Sequence, residues 1–309
     1  MIKTTPKNKG MLGGQSAVEY LTTYGIAILI IAIIGVTIYG LNLLNPYSLS
    51  PKANPSSCQV TRPNGPGSDI FLELVGPNCM QNDIPEYVAQ FNGQSSYINL
   101  GNPNYFSPEA GSNGGRMSIC AWYYIVSLSN YHGFLLKGES SPSNGNGWEY
   151  AIGQGSQQTY VVWTTSGADI ASYSFSPLMT KRWTFTCFTY NYSSSTAYVY
   201  INTTRYAATF SPGTPASQTN ANLTIGAGEN GYSNVELSNL QIYNTTLSQQ
   251  QVQTIYSEGI GGAPIDLTSL VGWWPLNGNA KDYSGNQNEG ISNGVTFISN
   301  WESGYSTPK

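Results

Sequence analysis

Two stretches, Met117-SICAWYY-Ile125 and Arg182-WTFTCFT-Tyr190, decide the fold. Each is strand-length and rich in aromatic and β-branched residues, the types that suit a pleated, half-buried surface. Runs of the same character flank them: Tyr87-VAQ-Phe91, Ser96-YIN-Leu100, Gly133-FL-Leu136, Trp148-EYA-Ile152, Tyr160-VV-Trp163, Ala197-YVY-Ile201 and Leu223-TI-Gly226. Gly, Asn, Ser and Pro separate them. Many short strands at regular spacing predict an antiparallel β-sandwich. One segment departs from the two-residue period. From Leu247 to Gly259, Ser248 caps a short amphipathic helix with Val252, Ile255 and Tyr256 on one side.

The amino-terminal region is of a different kind. Lys3, Lys7 and Lys9 precede Gly13-Gly14, and Gly25-IAILIIAIIGVTIYGLNL-Leu44 carries no charge. At 1.5 Å per residue, about 20 helical residues cross a bilayer, so a long α-helix over 15–45 is expected to anchor the chain in the membrane. Asn45-Pro46 ends it. Residues 46–57 contain three prolines and read as a stiff linker. The charge asymmetry keeps residues 1–14 cytoplasmic and sends the remainder outside.

Charged residues make up only 9 % of the 309, and losing the leader's lysines takes the net charge from −4 to −7. No basic tract follows the leader, which argues against nucleic acid as a partner. Four cysteines without C-x-x-C spacing favour disulfides in an external compartment. Cys58 and Cys79 bracket turn signals (Pro63–Gly67) and a strand over 69–75, so 58–86 reads as a disulfide-closed hairpin, though other pairings stay open. Cys120 and Cys187 share alternation parity with Trp122, Trp183 and Phe185. Both should point inward, as a disulfide or as two buried thiols. Sequons at Asn191, Asn202, Asn222 and Asn244 are candidate N-glycosylation sites.

The first residues resemble the class III signal of archaeal type IV pilins: a basic leader, Gly14 before the cut, then Gln15 and Glu19, with Ala17 where the family has serine and Ser16 one place earlier. The resemblance implies cleavage at Gly14/Gln15 by a prepilin peptidase, interaction with pilus assembly machinery, and self-polymerisation into a surface filament. Burying Glu19 costs several kcal/mol unless it is paired. The new α-amine of a neighbour's Gln15 is the obvious partner, the alternative being a solvated place among headgroups.

A second resemblance rests on Ala89-QFNGQSSYINL-Gly101, the two opening stretches, and Leu240-QIYNTTLSQQQVQTIYSE-Gly259, which look like successive blocks of a laminin-G-like, concanavalin A-like jelly roll. Leu270-VGWWPLNGNAKDYSGNQNEGISNGVT-Phe297 looks like the opening block of that family, yet follows the closing one. The sandwich, 87–298, is therefore expected to be circularly permuted, with 270–297 supplying its first strands and 299–309 a tail. A truncated second domain, or completion of a neighbour's sheet, are the alternatives. The resemblance implies a calcium ion held by Asp282, Asn286 and Asn288, with Glu236 as an imperfect further ligand. The other reading of Asp282 is an Asx-turn. It also implies carbohydrate or surface ligands.

Catalysis is not expected. A glycosidase needs two carboxylates flanking the bond, whereas Glu149 is alone on its strand and His132, the one histidine, has no nucleophile pattern near it. The chain reads as a filament subunit with a lectin-like adhesive head, located at the cell surface. The alternative is a membrane-anchored carbohydrate- or solute-binding protein, or a minor pilin or tip adhesin.

Overall fold

The computed structural model describes residues 22–34, 58–70, 72–76, 79, 84–102, 115–127, 133–138, 147–152, 158–164, 169–174, 180–210, 222–228 and 231–308. The chain divides into two compact units, Met1–Lys52 and Ala53–Lys309.

In the first unit, residues 22–34 form a helix, α1, whose side chains are exposed along its length. It is about 20 Å long. Among the described residues no helix is long and apolar enough to cross a membrane. The expected helix over 15–45 is thus seen only in this middle part. The leader, Gly14, Gln15, Glu19 and the 46–57 linker lie outside the described residues.

In the second unit the strands are β1 (Gln59–Thr61), β2 (Glu73–Val75), β3 (Val88–Gln90), β4 (Tyr97–Asn99), β5 (Arg116–Ile125), β6 (Gly133–Gly138), β7 (Gly147–Ile152), β8 (Gln158–Thr164), β9 (Asp169–Ser174), β10 (Trp183–Asn191), β11 (Thr196–Ile201), β12 (Thr204–Ala207), β13 (Thr209–Phe210), β14 (Leu223–Ile225), β15 (Ala227–Gly228), β16 (Gly231–Tyr232), β17 (Val235–Tyr243), β18 (Leu270–Trp274), β19 (Ile291–Asn293) and β20 (Thr296–Ile298). Helix α2 (Gln249–Ser257) follows β17, with Ser248 and Gln251 forming a reciprocal capping box.

Among the described residues, one sheet runs β12-β11-β10-β5-β17-β3-β20, with β18 also on β17, and the other runs β13-β9-β8-β7-β6-β14-β4-β19. Their facing sides share one core that includes Ile98, Ile119, Tyr123, Trp148, Phe188, Leu237 and Trp274. The carboxy-terminal block completes the sheets of its own chain: β18 pairs with β17, β19 with β4 and β20 with β3.

A second apolar layer covers the outer face of the first sheet. There Cys120, Trp122, Phe185 and Cys187 pack with α2, Trp273, Trp301 and the β1–β2 hairpin. Tyr256 of α2 stacks on Trp122, with ring centroids 5.6 Å apart. Cys120 and Cys187 are directly opposed on β5 and β10 and form a disulfide. They are buried as expected, but in this outer layer rather than between the sheets. Cys58 and Cys79 form the other disulfide.

Two expected boundaries also shift. The hairpin is no separate domain, because Val60 donates its N–H to the Tyr283 carbonyl (2.8 Å) and Arg62 reaches the carbonyls of Ser284 (2.9 Å), Leu267 (3.0 Å) and Leu270 (2.7 Å). Nor is 299–309 a free tail. Trp301 is buried, accepts from the Trp183 indole at its carbonyl (2.9 Å) and donates its own indole N–H to Pro85 (3.1 Å).

Candidate carbohydrate-binding cleft

The turn from Asp282 to Glu289 is the centre from which the site is built. Asp282 is buried, and both its carboxylate oxygens are occupied. Oδ1 accepts from the Trp273 (3.0 Å) and Ser284 (2.8 Å) backbone N–H groups. Oδ2 accepts from Ser284 Oγ, the Asn288 N–H and Asn288 Nδ2, each at 2.9 Å. Burial pushes this carboxyl above the usual range, and the hydrogen bonds recover only part of that shift. The asparagines point their amides inward too. Asn286 Nδ2 donates to the Leu270 and Val271 carbonyls, Asn288 Nδ2 to Val271, and Asn286 Oδ1 accepts from Gly67 N–H. The turn closes over the hairpin through Gly285, at φ +80°, where a Cβ would lie 2.7 Å from the Val60 carbonyl.

Calcium needs six to eight oxygen ligands with lone pairs free to coordinate. The residues expected to hold it do not fit. Asp282, Asn286 and Asn288 are brought together, but Asp282 and Asn286 spend their side-chain oxygens on N–H and O–H donors, and both asparagines aim their –NH2 groups at main-chain carbonyls. Glu236 is not part of the group. It lies on β17 five positions before Gln241, the partner of Trp273, and accepts from Gln90 Nε2 (3.2 Å). Among the described residues no three His, Cys, Asp or Glu are gathered to hold a metal. The Asx-turn reading of Asp282 describes the observed bonds.

The outer side of the same turn is open. It forms one wall of a cleft of about 480 Å³ lined by Pro66, Asn99–Asn102 and Asn286–Glu289, with Ile291 at its side. Asn99 Oδ1 accepts from Gly101 N–H (2.9 Å), which leaves the amide –NH2 as a donor for a ligand. Asn102 is exposed and holds the Nζ of buried Lys137 at 2.9 Å. Gln287 stands exposed at the apex of the turn. Glu289 Oε2 accepts from the Asp282 N–H (3.2 Å), and partial burial pushes its carboxyl up. Ile291 is 67 % exposed, an apolar surface beside the amides. Amides, one carboxylate and a small apolar face can hydrogen-bond hydroxyl groups and pack against the C–H surface of a sugar.

Of these lining residues only Asn286 and Asn288 stood out in the sequence, and they support the wall from behind. Asn99, Asn102, Gln287, Glu289 and Ile291 were missed. Their one sequence signal is the low charge and high Asn content of the two blocks that meet here.

A concanavalin A-like lectin/glucanase superfamily model of the laminin-G type matches residues 92–253. The chain belongs to this superfamily. The matched span stops short of β18–β20, so one wall of the cleft comes from a superfamily segment and the other from sequence outside it. A candidate carbohydrate-binding protein from Bacteroides ovatus has a similar structure, with TM-score 0.51, 17 % identity, and coverage of 71 % of this chain and 60 % of that one. The superfamily's sandwich is thus shared, while the chain spans less than two thirds of that protein's length. A SAP-like pentraxin from Limulus polyphemus aligns at TM-score 0.45 and 14 % identity over 81 % of this chain and 99 % of its own. No curated protein matches the chain.

The sequons fall at different places in the sandwich. Asn222 is exposed, but its Thr224 lies within β14 and donates to the Leu136 carbonyl (3.3 Å). Asn202 sits in the β11–β12 turn at φ +54° with an exposed Thr204. Asn191 and Asn244 are half-buried at strand ends, and Thr246 of the latter donates to the Tyr190 carbonyl (2.7 Å).

Proposed function

We propose that the sandwich is a carbohydrate-binding head, displayed at the cell surface by the apolar amino-terminal segment. The observation that carries this reading is the open, amide-lined cleft on a lectin-superfamily sandwich. Binding is favoured over hydrolysis because Glu289 is the cleft's one carboxylate among the described lining residues, whereas glycosidases use a pair. The test is a binding assay of the full-length protein, held in a zwitterionic, sugar-free detergent, against a panel of soluble polysaccharides. The double variant Asn99→Ala/Gln287→Ala should lose about tenfold or more in affinity with its fold intact, since each amide contributes roughly 1 kcal/mol. A panel without any ligand overturns the proposal.

The amino terminus supports a second reading, that of an archaeal type IV pilus-like filament subunit. Its leader precedes the apolar block, Glu19 follows the Gly14/Gln15 site, and the run from Ile28 to Ile31 in α1 is exposed all round, each residue by half or more. Such a surface wants lipid before assembly and equivalent helices after it, and a repeated head-to-tail contact builds a filament. Mass spectrometry of sheared, sedimented surface material decides the matter. An abundant peptide beginning at Gln15 supports the filament, while a chain retaining Lys3 to Gly14, found only in membranes, leaves an anchored binding protein.

A further inference from the structure

We infer that the ligand of the cleft is an uncharged glycan chain, bound lengthwise along β4 by a tyrosine pair at one end and the amide cleft at the other. The inference rests on the carbohydrate reading above and deepens it. Within β4, Ile98 is fully buried in the inter-sheet core, so Tyr97 and Asn99 on either side of it point outward, both partly exposed. Across the neighbouring strands Asn99 is flanked by Ile291 and Thr224, which places all three on one continuous outer face.

The other end of this strip is aromatic. Tyr232 on β16 brings its ring to 6.1 Å from that of Tyr97, tilted by 35°, and is itself 36 % exposed. The placement follows from Gly226, at φ +80° and packed so closely on Phe91 that a Cβ would lie 2.1 Å from the ring. Only glycine allows the chain to turn there into the β15–β16 hairpin that carries Tyr232 to β4. A tyrosine face is electron-rich and attracts the C–H side of a sugar ring. Tyr97 and Asn99 are about 7 Å apart along the strand, and Asn102 and Gln287 lie further on, so the strip is longer than one sugar.

Its charge selects the ligand. Among the described residues of cleft and tyrosine pair, the one charged side chain is Glu289; of the cations near it, Lys137 is buried and bonded to Asn102, and Lys281 is exposed outside the lining beside Glu289. A uronate or sulfated chain would meet that carboxylate and no cation among the residues lining the cleft, the exposed Lys281 beside Glu289 only offsetting its charge. A neutral chain needs only the amides and rings.

The test measures affinity of the full-length protein for neutral oligosaccharides of increasing length, and for polyuronate and sulfated polymers at two salt concentrations. Expected are salt-insensitive binding to a neutral chain, a rise in affinity from one to about four units, and a roughly 3- to 10-fold loss of that rise in Tyr97→Ala and Tyr232→Ala. Tyr97→Phe, which keeps the ring, should behave as wild type and controls for folding. Tighter, salt-sensitive binding to a polyanion overturns the inference, as does a single sugar bound as well as a chain or an unchanged length dependence in both alanine variants. Those results leave the carbohydrate reading standing. Loss of all glycan binding removes both.

Discussion

The two apolar layers of the head are built from different parts of the chain. The inter-sheet core draws mostly on strands within the superfamily-matched span. The outer layer takes Cys58, Val60, Trp273, Tyr283 and Trp301 from beyond it and lays them over β5 and β10. β18 serves both: Trp274 points between the sheets while its neighbour Trp273 faces outward. The difference leads to the expectation that the casing can loosen without the sandwich. The casing also shapes the proposed site, because Pro66 and residues of the Asp282–Glu289 turn form the far wall of the cleft.

The largest effect should come from breaking the inner layer. Trp274 is fully buried and donates its indole N–H to the Asn288 carbonyl at 3.0 Å. Trp274→Ala is expected to cost about 3–5 kcal/mol, lowering the urea midpoint of the whole head. Trp301→Ala removes a side chain of equal size from the casing. It should cost about 2 kcal/mol, because residues 299–308 and α2 loosen locally before the sheets part. Hydrogen exchange separates the two variants: protection falls everywhere in the first and in α2 and its cover in the second. Equal global losses would show that the layers are one cooperative unit.

This division explains what was legible in the sequence. Alternation found β3–β8, β10, β11 and β14 because one face of each had to differ from the other. It could not say which face lay inside in Met117–Ile125, where Ile119 and Tyr123 enter the inner core while Cys120 and Trp122 enter the outer layer. Both sides are apolar, so parity alone is silent. Alternation did not find β17, whose second half was read only through the jelly-roll resemblance, for a related reason: all its residues are buried, and a bulge at Asn239 (φ +54°) interrupts the period so that Leu237 and Leu240 both face the core. The Asp282–Asn288 turn was legible as a turn. Its sidedness was not, because the asparagine amides face inward only once Leu270 and Val271 supply carbonyls from a neighbouring strand.

A smaller effect tests the joint between casing and cleft. The buried Arg62 guanidinium donates to the Ser284, Leu267 and Leu270 carbonyls, and the charges of Asp282 and Asp69 offset part of its desolvation. Arg62→Met keeps the stem but leaves those carbonyls without their donor, at a cost of about 2 kcal/mol. Since Gly67 also donates to Asn286 Oδ1 (2.7 Å), the loss should loosen the hairpin and weaken glycan binding while the sandwich stays folded. Binding titration alongside thermal melting tests this. An Arg62→Met protein that melts early yet binds unchanged would show that the hairpin stabilises the wall without shaping it.

The smallest effect comes from Glu236, where the polar edge of β17 meets Gln90. Burial pushes its carboxyl above the usual range, only partly offset by the Gln90 hydrogen bond. The folded state thus holds the proton more tightly than the unfolded chain, so this group's contribution is full below the ordinary carboxylate pKa and lost as pH rises through the raised one. Glu236→Gln supplies a neutral group of the same shape. Its melting temperature should match wild type near pH 3, where the carboxyl is protonated in both states, and exceed it at about pH 7. The gap should open across the interval between the two pKa values and then stay constant. A variant equal to wild type at both pH values would mean that the carboxylate at the sheet edge reaches water when it ionises, and that the casing ends before β17 does.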